Sequence, residues 1–229
     1  MYELVLINLA LCLSFLLVTI LVLRKSQNIS TITFSWTTGL FALSTFFGVI
    51  EELYNSQVIS GTTPQALTII DNIIFPLAPL GLVFSAYVIK NGYHTWKNMN
   101  LWLFTTIYVV IEIVLFALRF DQNYTYLNET INSALWNILI TLPLLLSIVY
   151  FYSIYHEMDE EKNKMLLLVI GIGLGTLGQT INAIGIILAN DNLIVGSFVV
   201  IVTGVLIVSL SFMNITSVSK NAPSQVSVN

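Results

Sequence analysis

Charge is what this chain has least of. Of its 229 residues, 9% are Asp, Glu, Lys or Arg and 56% are hydrophobic. Soluble domains carry about 25% charged residues, so this chain cannot clothe a water-exposed surface. With a mean hydropathy of +0.87, it reads as an integral membrane protein. Cysteine is reduced to Cys12 alone, which excludes an intramolecular disulfide and a cysteine-based zinc cluster. The histidines are His94 and His156, both in short polar connections. Haem or a metal held inside a bundle needs histidines within the spans, so no cofactor and no metal are expected. No nucleophile–base pair can be assembled either. The chain is not expected to be an enzyme, to have catalytic residues or to bind nucleic acid.

What is present is a series of long apolar runs. Seven spans are predicted, at 2–23, 31–53, 66–90, 100–118, 131–155, 165–189 and 192–214, each near the ~20 residues that cross a bilayer. The first run, YELVLINLALCLSFLLVTILVL, has no basic leader and ends in Arg24-Lys25 instead of a small-residue cleavage site. It therefore reads as a span and not as a signal peptide. The expected fold is all-α: a polytopic, seven-transmembrane-helix bundle over residues 1–216, with a disordered cytoplasmic tail at 217–229.

Orientation follows from the basic residues. If the spans alternate, Arg24, Lys25, Lys90, Lys97, Lys162, Lys164 and Lys220 share one side, and Arg119 alone is on the other. The positive-inside rule then places the N-terminus outside and the C-terminus in the cytoplasm of a multi-pass protein of the cell membrane. The lipid bilayer is its first partner. The sequons at Asn123 and Asn128 fall in the outer connection between spans four and five; chance accounts for such short motifs, and glycosylation would be consistent with the orientation.

Span six, MLLLVIGIGLGTLGQTINAIGIILA, carries no formal charge. As a helix it aligns Gly171, Gly175, Gly178, Asn182 and Gly185 in one stripe, with Gln179 beside it. In lipid, small residues let helices approach closely and packing supplies the association. Span six is therefore expected at the centre of the bundle, with the other spans around it.

The remaining spans carry polar groups at related depths. Span two has Thr37, Ser44 and Glu51 at intervals of seven, with Phe41 and Gly48 on the same face. Glu51 and Glu52 are expected in headgroup water at the span's outer end. Span three has Asp71 and Asn72 followed by Pro76 and Pro79, which predict a kink or local unwinding. Span four has Glu112, which Arg119 could reach along the same face. Span five has Asn137 and then Pro143; span six has Gln179 and Asn182. At 1.5 Å per residue, Asp71, Glu112, Asn137 and Asn182 lie roughly 7–12 Å below the outer boundary. Ionisable groups in a span face the protein interior or water. The expectation is a polar, outward-opening, ligand-binding or proton-responsive pocket built from Asp71, Asn72, Glu112, Asn137, Gln179 and Asn182. Interhelical hydrogen bonding is the plainer role for the three amides Asn137, Gln179 and Asn182.

Several seven-span classes are excluded. A retinal protein needs a lysine in its last span, which has none. Membrane hydrolases of the ceramidase and adiponectin-receptor kind need membrane-level histidines. Sugar transporters of the SWEET type repeat a proline-bearing triple of spans, and Pro143 has no counterpart in span one. The run Gly171-Ile-Gly173-Leu-Gly175 is not a phosphate loop, because it lies within a membrane span.

Residues 1–118 do carry one likeness. A first span ending in LVLRK, a second of the form TFSWTTGLFALSTFFGVIEEL and a proline-bearing third, IIFPLAPLGLVFSAY, resemble the seven-span sensory region at the N-terminus of many prokaryotic histidine kinases. Those kinases continue into cytoplasmic signalling domains, whereas this sequence stops at Asn229. The resemblance implies a free-standing receptor-like sensor that signals through a separate cytoplasmic protein, with no fixed ligand carried over. A small-solute transporter and a structural membrane subunit are the alternative expectations.

Overall fold

The computed structural model describes residues 2–24, 29–61, 65–120, 129–158 and 162–213. The sequons at Asn123 and Asn128 and the 217–229 tail lie outside the described residues, as do the side chains of Asn72 and Arg119. Among the described residues there is no strand, and seven long helices follow in order. They are α1 (Tyr2–Leu23), α2 (Ile29–Asn55), α3 (Gln65–Asn91), α4 (Met99–Phe120), α5 (Glu129–Glu157), α6 (Lys162–Ile187) and α7 (Asp191–Met213). All seven are long and apolar enough to cross a membrane, so the chain is a multi-pass membrane protein.

The helix ends have local causes. Gly92, at φ +56°, takes the left-handed conformation that terminates α3, and a short 3₁₀ turn over Gly92–Lys97 leads to α4. The Asn98 side chain accepts the Leu101 N–H at 3.0 Å and so caps α4. Asn190 does the same for the Leu193 N–H at 3.2 Å, which allows α6 and α7 to be joined tightly. Of the kink or local unwinding expected at the prolines, the unwinding does not occur. Helical geometry runs through Pro76, Pro79 and Pro143, all three fully buried. Neighbouring helices can stabilise such turns in a membrane. One such contact is the Tyr108 hydroxyl of α4, which donates to the Pro76 carbonyl at 2.9 Å.

Six helices close into a ring in the order α1, α2, α3, α5, α6, α7, with α7 returning to α1. α4 packs on the outside of this ring, chiefly against α3 and α5. The outer faces are apolar. Ile107, Val110, Ile113 and Val114 of α4 and Ile170, Leu177 and Ile184 of α6 are all exposed, as lipid-facing side chains should be.

The α6–α7 seam is the most extensive in the molecule. A Cβ placed on Gly171 would meet Val208, one on Gly178 would meet Ile201, and one on Gly185 would meet Ile194. Each glycine is thus the hole for a β-branched knob on α7, and both series step by seven residues. A sustained seven-residue period is the geometry of a left-handed helix pair. Gly204 of α7 completes the fit, since a Cβ there would come within 2.5 Å of the Gly171 carbonyl oxygen.

The glycine stripe does not put α6 at the centre. Its window is 33% buried, against 59% for α3 and 17% for α4. Glycines let one neighbour come close on one face, whereas a central helix needs neighbours on every side. α3 has them: α2, α5 and α4 all pack on it.

Candidate functional site

α1, α2, α3, α6 and α7 bring together a polar cavity at the end of the ring where α1 begins and α2 ends. Its volume is about 230 Å³. The side chains of Asn8, Ser44, Glu51, Glu52, Asp71 and Gln179 line it. The Thr37-Ser44-Glu51 spacing explains why α2 contributes both Ser44 and Glu51, since residues seven apart share a helix face. Gly48 keeps α1 close at this level, because a Cβ there would come within 3.4 Å of the Asn8 amide.

Two features set the chemistry of this cavity. Three carboxyl groups line it, and none of its described lining residues is basic. Its acceptors also outnumber its donors. Ser44 donates to Asp71 Oδ1 at 2.6 Å. Glu51 Oε1 and Gln179 Oε1 are buried and have no hydrogen-bond donor among the described residues. A buried acceptor left unpaired is costly.

A second, smaller cavity of about 70 Å³ lies further along the ring interior. Phe15, Phe41, Gln179 and Ile201 line both cavities, so these four residues are the shared boundary, or neck, between them. The Phe15 and Phe41 rings are stacked, with centroids 4.9 Å apart and planes inclined by 11°. Beyond the neck the walls are Val18, Phe34, Leu82, Leu144 and Val205. The Thr38 hydroxyl on this wall already donates to the Phe34 carbonyl and accepts from Thr19.

At the opposite end of the ring, polar contacts join α3 to α5. Lys90 pairs with Glu157 at 2.6 Å and donates to Ser153 at 2.8 Å. The hydroxyls of Tyr87 and Tyr150 are hydrogen-bonded.

The residues predicted from sequence are thus distributed over three places. Asp71 and Gln179 line the acidic cavity. Asn137 and Asn182 pair with each other, the Asn182 amide donating to Asn137 Oδ1 at 3.1 Å, and so join α5 to α6. Glu112 stands apart on α4. It is 6% exposed, and its Oε2 is buried with no hydrogen-bond donor among the described residues. It is not among the cavity's lining residues. Asn72 belongs to α3, and its side chain lies outside the described residues. Glu51 and Glu52, expected at the headgroup boundary, line the cavity as well. The signal that could have found them was present in the shared face of Ser44 and Glu51. Asn8 carried no such signal, because no acid or amide of α1 repeats on its face.

Comparison with protein-family models, with curated proteins and with solved structures finds no match.

Proposed function

We propose that the chain is a receptor-like membrane sensor whose acidic cavity faces the outside and takes a small cationic, hydrogen-bond-donating solute. The observation that carries this reading is the pair of buried acceptors without donors among the described residues, Glu51 Oε1 and Gln179 Oε1, in a cavity with three carboxyl groups and no basic residue among its described lining. An ammonium group offers what is missing, charge and donors together. The orientation rests on the basic residues. Arg24, Lys90, Lys97, Lys162 and Lys164 belong to the end away from the cavity, which the positive-inside rule places in the cytoplasm.

Transport of a polar solute would need a polar path through both halves. The wall beyond Gln179 is Val18, Phe34, Leu82, Leu144 and Val205, which counts against it. Signalling is the reading that needs no such path. A solute that binds one packing of α2 against α3 better than another shifts that equilibrium. α3 connects the two ends, from Asp71 in the cavity to Lys90 and its partners on α5. A separate cytoplasmic protein would read the change at the Lys90 end.

The test is thermal unfolding in lipid nanodiscs with a panel of small ammonium and guanidinium compounds. A solute at one hundred times its dissociation constant stabilises by about 2.7 kcal/mol. The expected result is a solute-dependent shift that Asp71→Asn and Glu51→Gln each remove while the unliganded protein still unfolds cooperatively. A flat response across the panel in the parent protein would reject the cavity as the ligand site.

A further inference from the structure

The two cavities share a neck, and they differ in chemistry on either side of it. Above the neck are the carboxyl groups and unpaired acceptors; below it is an almost wholly apolar chamber of about 70 Å³. Resting on the cationic-solute reading above, we infer that the ligand is an amphiphilic amine: an ammonium head among Asp71, Glu51 and Gln179, and a short apolar tail that passes Phe15 and Phe41 into the chamber.

The chamber is built for carbon and not for water. A buried water needs two to four polar partners. The Thr38 hydroxyl is already engaged twice, and Gln179 stands at the neck. Apolar cavities of this kind stay dry and accept apolar guests. A methylene occupies a volume close to the ~30 Å³ of a liquid water, so the space accommodates a tail of roughly two or three carbons.

Gly175 is what holds the chamber open. It lines the chamber, and a Cβ placed on it would meet nothing within 4 Å. Gly171 also lines the chamber, but its Cβ direction is taken by α7, with the Gly204 carbonyl oxygen at 2.7 Å. The two glycines therefore serve different ends. Filling at Gly175 blocks the chamber without touching the α6–α7 seam.

The experiment is a homologous series, methylammonium to hexylammonium, read by thermal unfolding of the nanodisc-embedded protein, with the matching 1-alkanols beside it. Three proteins are compared: the parent, Gly175→Val to fill the chamber, and Leu144→Ala to enlarge it. In the parent, apparent affinity should rise about fourfold per methylene and level off near propyl or butyl. Gly175→Val should level off one or two carbons earlier, and Leu144→Ala later, with methylammonium unchanged in all three. Partitioning of longer amines into lipid is common to the three proteins and cancels in the comparison. Amine binding that ignores chain length in every protein would overturn the tail assignment and leave the acidic head site standing. No binding at any chain length would overturn the head site and the tail with it. Alkanols that match the amines in all three proteins would overturn the assignment of an amine.

Discussion

α6 offers glycine to two neighbourhoods, and they use it in opposite ways. Toward α7, Gly171, Gly178 and Gly185 are filled by Val208, Ile201 and Ile194. Toward the ring interior, Gly175 faces open space. The first face gains packing from the missing side chain, and the second gains a void. The same residue type on one helix therefore serves cohesion on one side and occupancy on the other. Spacing alone cannot separate these uses, because 171, 175, 178 and 185 all belong to one stripe. The separation comes from what stands opposite each position.

The largest effect should come from breaking the seam. In Gly178→Val the new Cβ collides with Ile201 and comes within 2.9 Å of the Ser197 carbonyl oxygen. Backbone cannot move aside as a flexible side chain can, so the two helices must separate. A loss of about 3 kcal/mol is expected, measured by reversible unfolding in bicelles. A loss below ~1 kcal/mol would mean that the seam is looser than the glycine contacts require.

The second effect tests the cavity wall. Ser44 is buried and donates to Asp71 at 2.6 Å. Ser44→Ala removes a donor from a carboxyl group in a setting where water is scarce. Interhelical hydrogen bonds in membranes contribute about 1–2 kcal/mol in model helices, and a loss in that range is expected from the same unfolding measurement. Ammonium binding should persist in this variant, since the Asp71 carboxyl group remains.

The third effect is smaller because one group gains what another loses. Asn182 donates to Asn137, yet its own Oδ1 is buried with no donor among the described residues. Asn182→Leu breaks the α5–α6 bond and also removes that unmet acceptor. The expected loss is only about 0.6 kcal/mol, near the mean measured for such bonds in a membrane protein. A loss of ~2 kcal/mol or more would assign Asn182 a partner beyond Asn137.

The helices were legible in the sequence because a span announces itself by length and hydropathy, and each predicted span falls on one observed helix. The α6–α7 match was half legible. The glycines were noted, but Ile194, Ile201 and Val208 repeat with the same step of seven and were the complementary half of the signal. The role of α6 was misjudged for a physical reason: a glycine stripe reports how close one neighbour comes, not how many neighbours there are. Depth along a span was informative, and direction around it was not. Asp71 and Glu112 share a depth, yet α4 lies outside the ring, so the two acids are not lining residues of one cavity. Glu51 shows the converse. Its distance from the span end gives only its depth, while its face, shared with Ser44, identifies the cavity it lines.

Gly175→Ala is the smallest effect and the one that sharpens the contrast most, because its sign should differ from that of Gly171→Ala. A Cβ at Gly171 would stand 2.6 Å from Val208 and 2.7 Å from the Gly204 carbonyl oxygen, so that variant should lose stability. A Cβ at Gly175 meets nothing within 4 Å, so the added methyl enters free volume and gains dispersion contacts with the chamber wall. It also narrows the unfolded backbone ensemble, though weakly, since a span that stays helical in lipid has little such freedom to lose. A gain of about 0.5 kcal/mol is expected, read against Gly171→Ala in the same bicelles. If both variants lose stability equally, the chamber is closed in the membrane and the two faces of α6 are alike. If they split in sign, the void at Gly175 is a standing feature of the fold, retained at the expense of stability. That is what a binding site requires and a purely structural bundle would not keep.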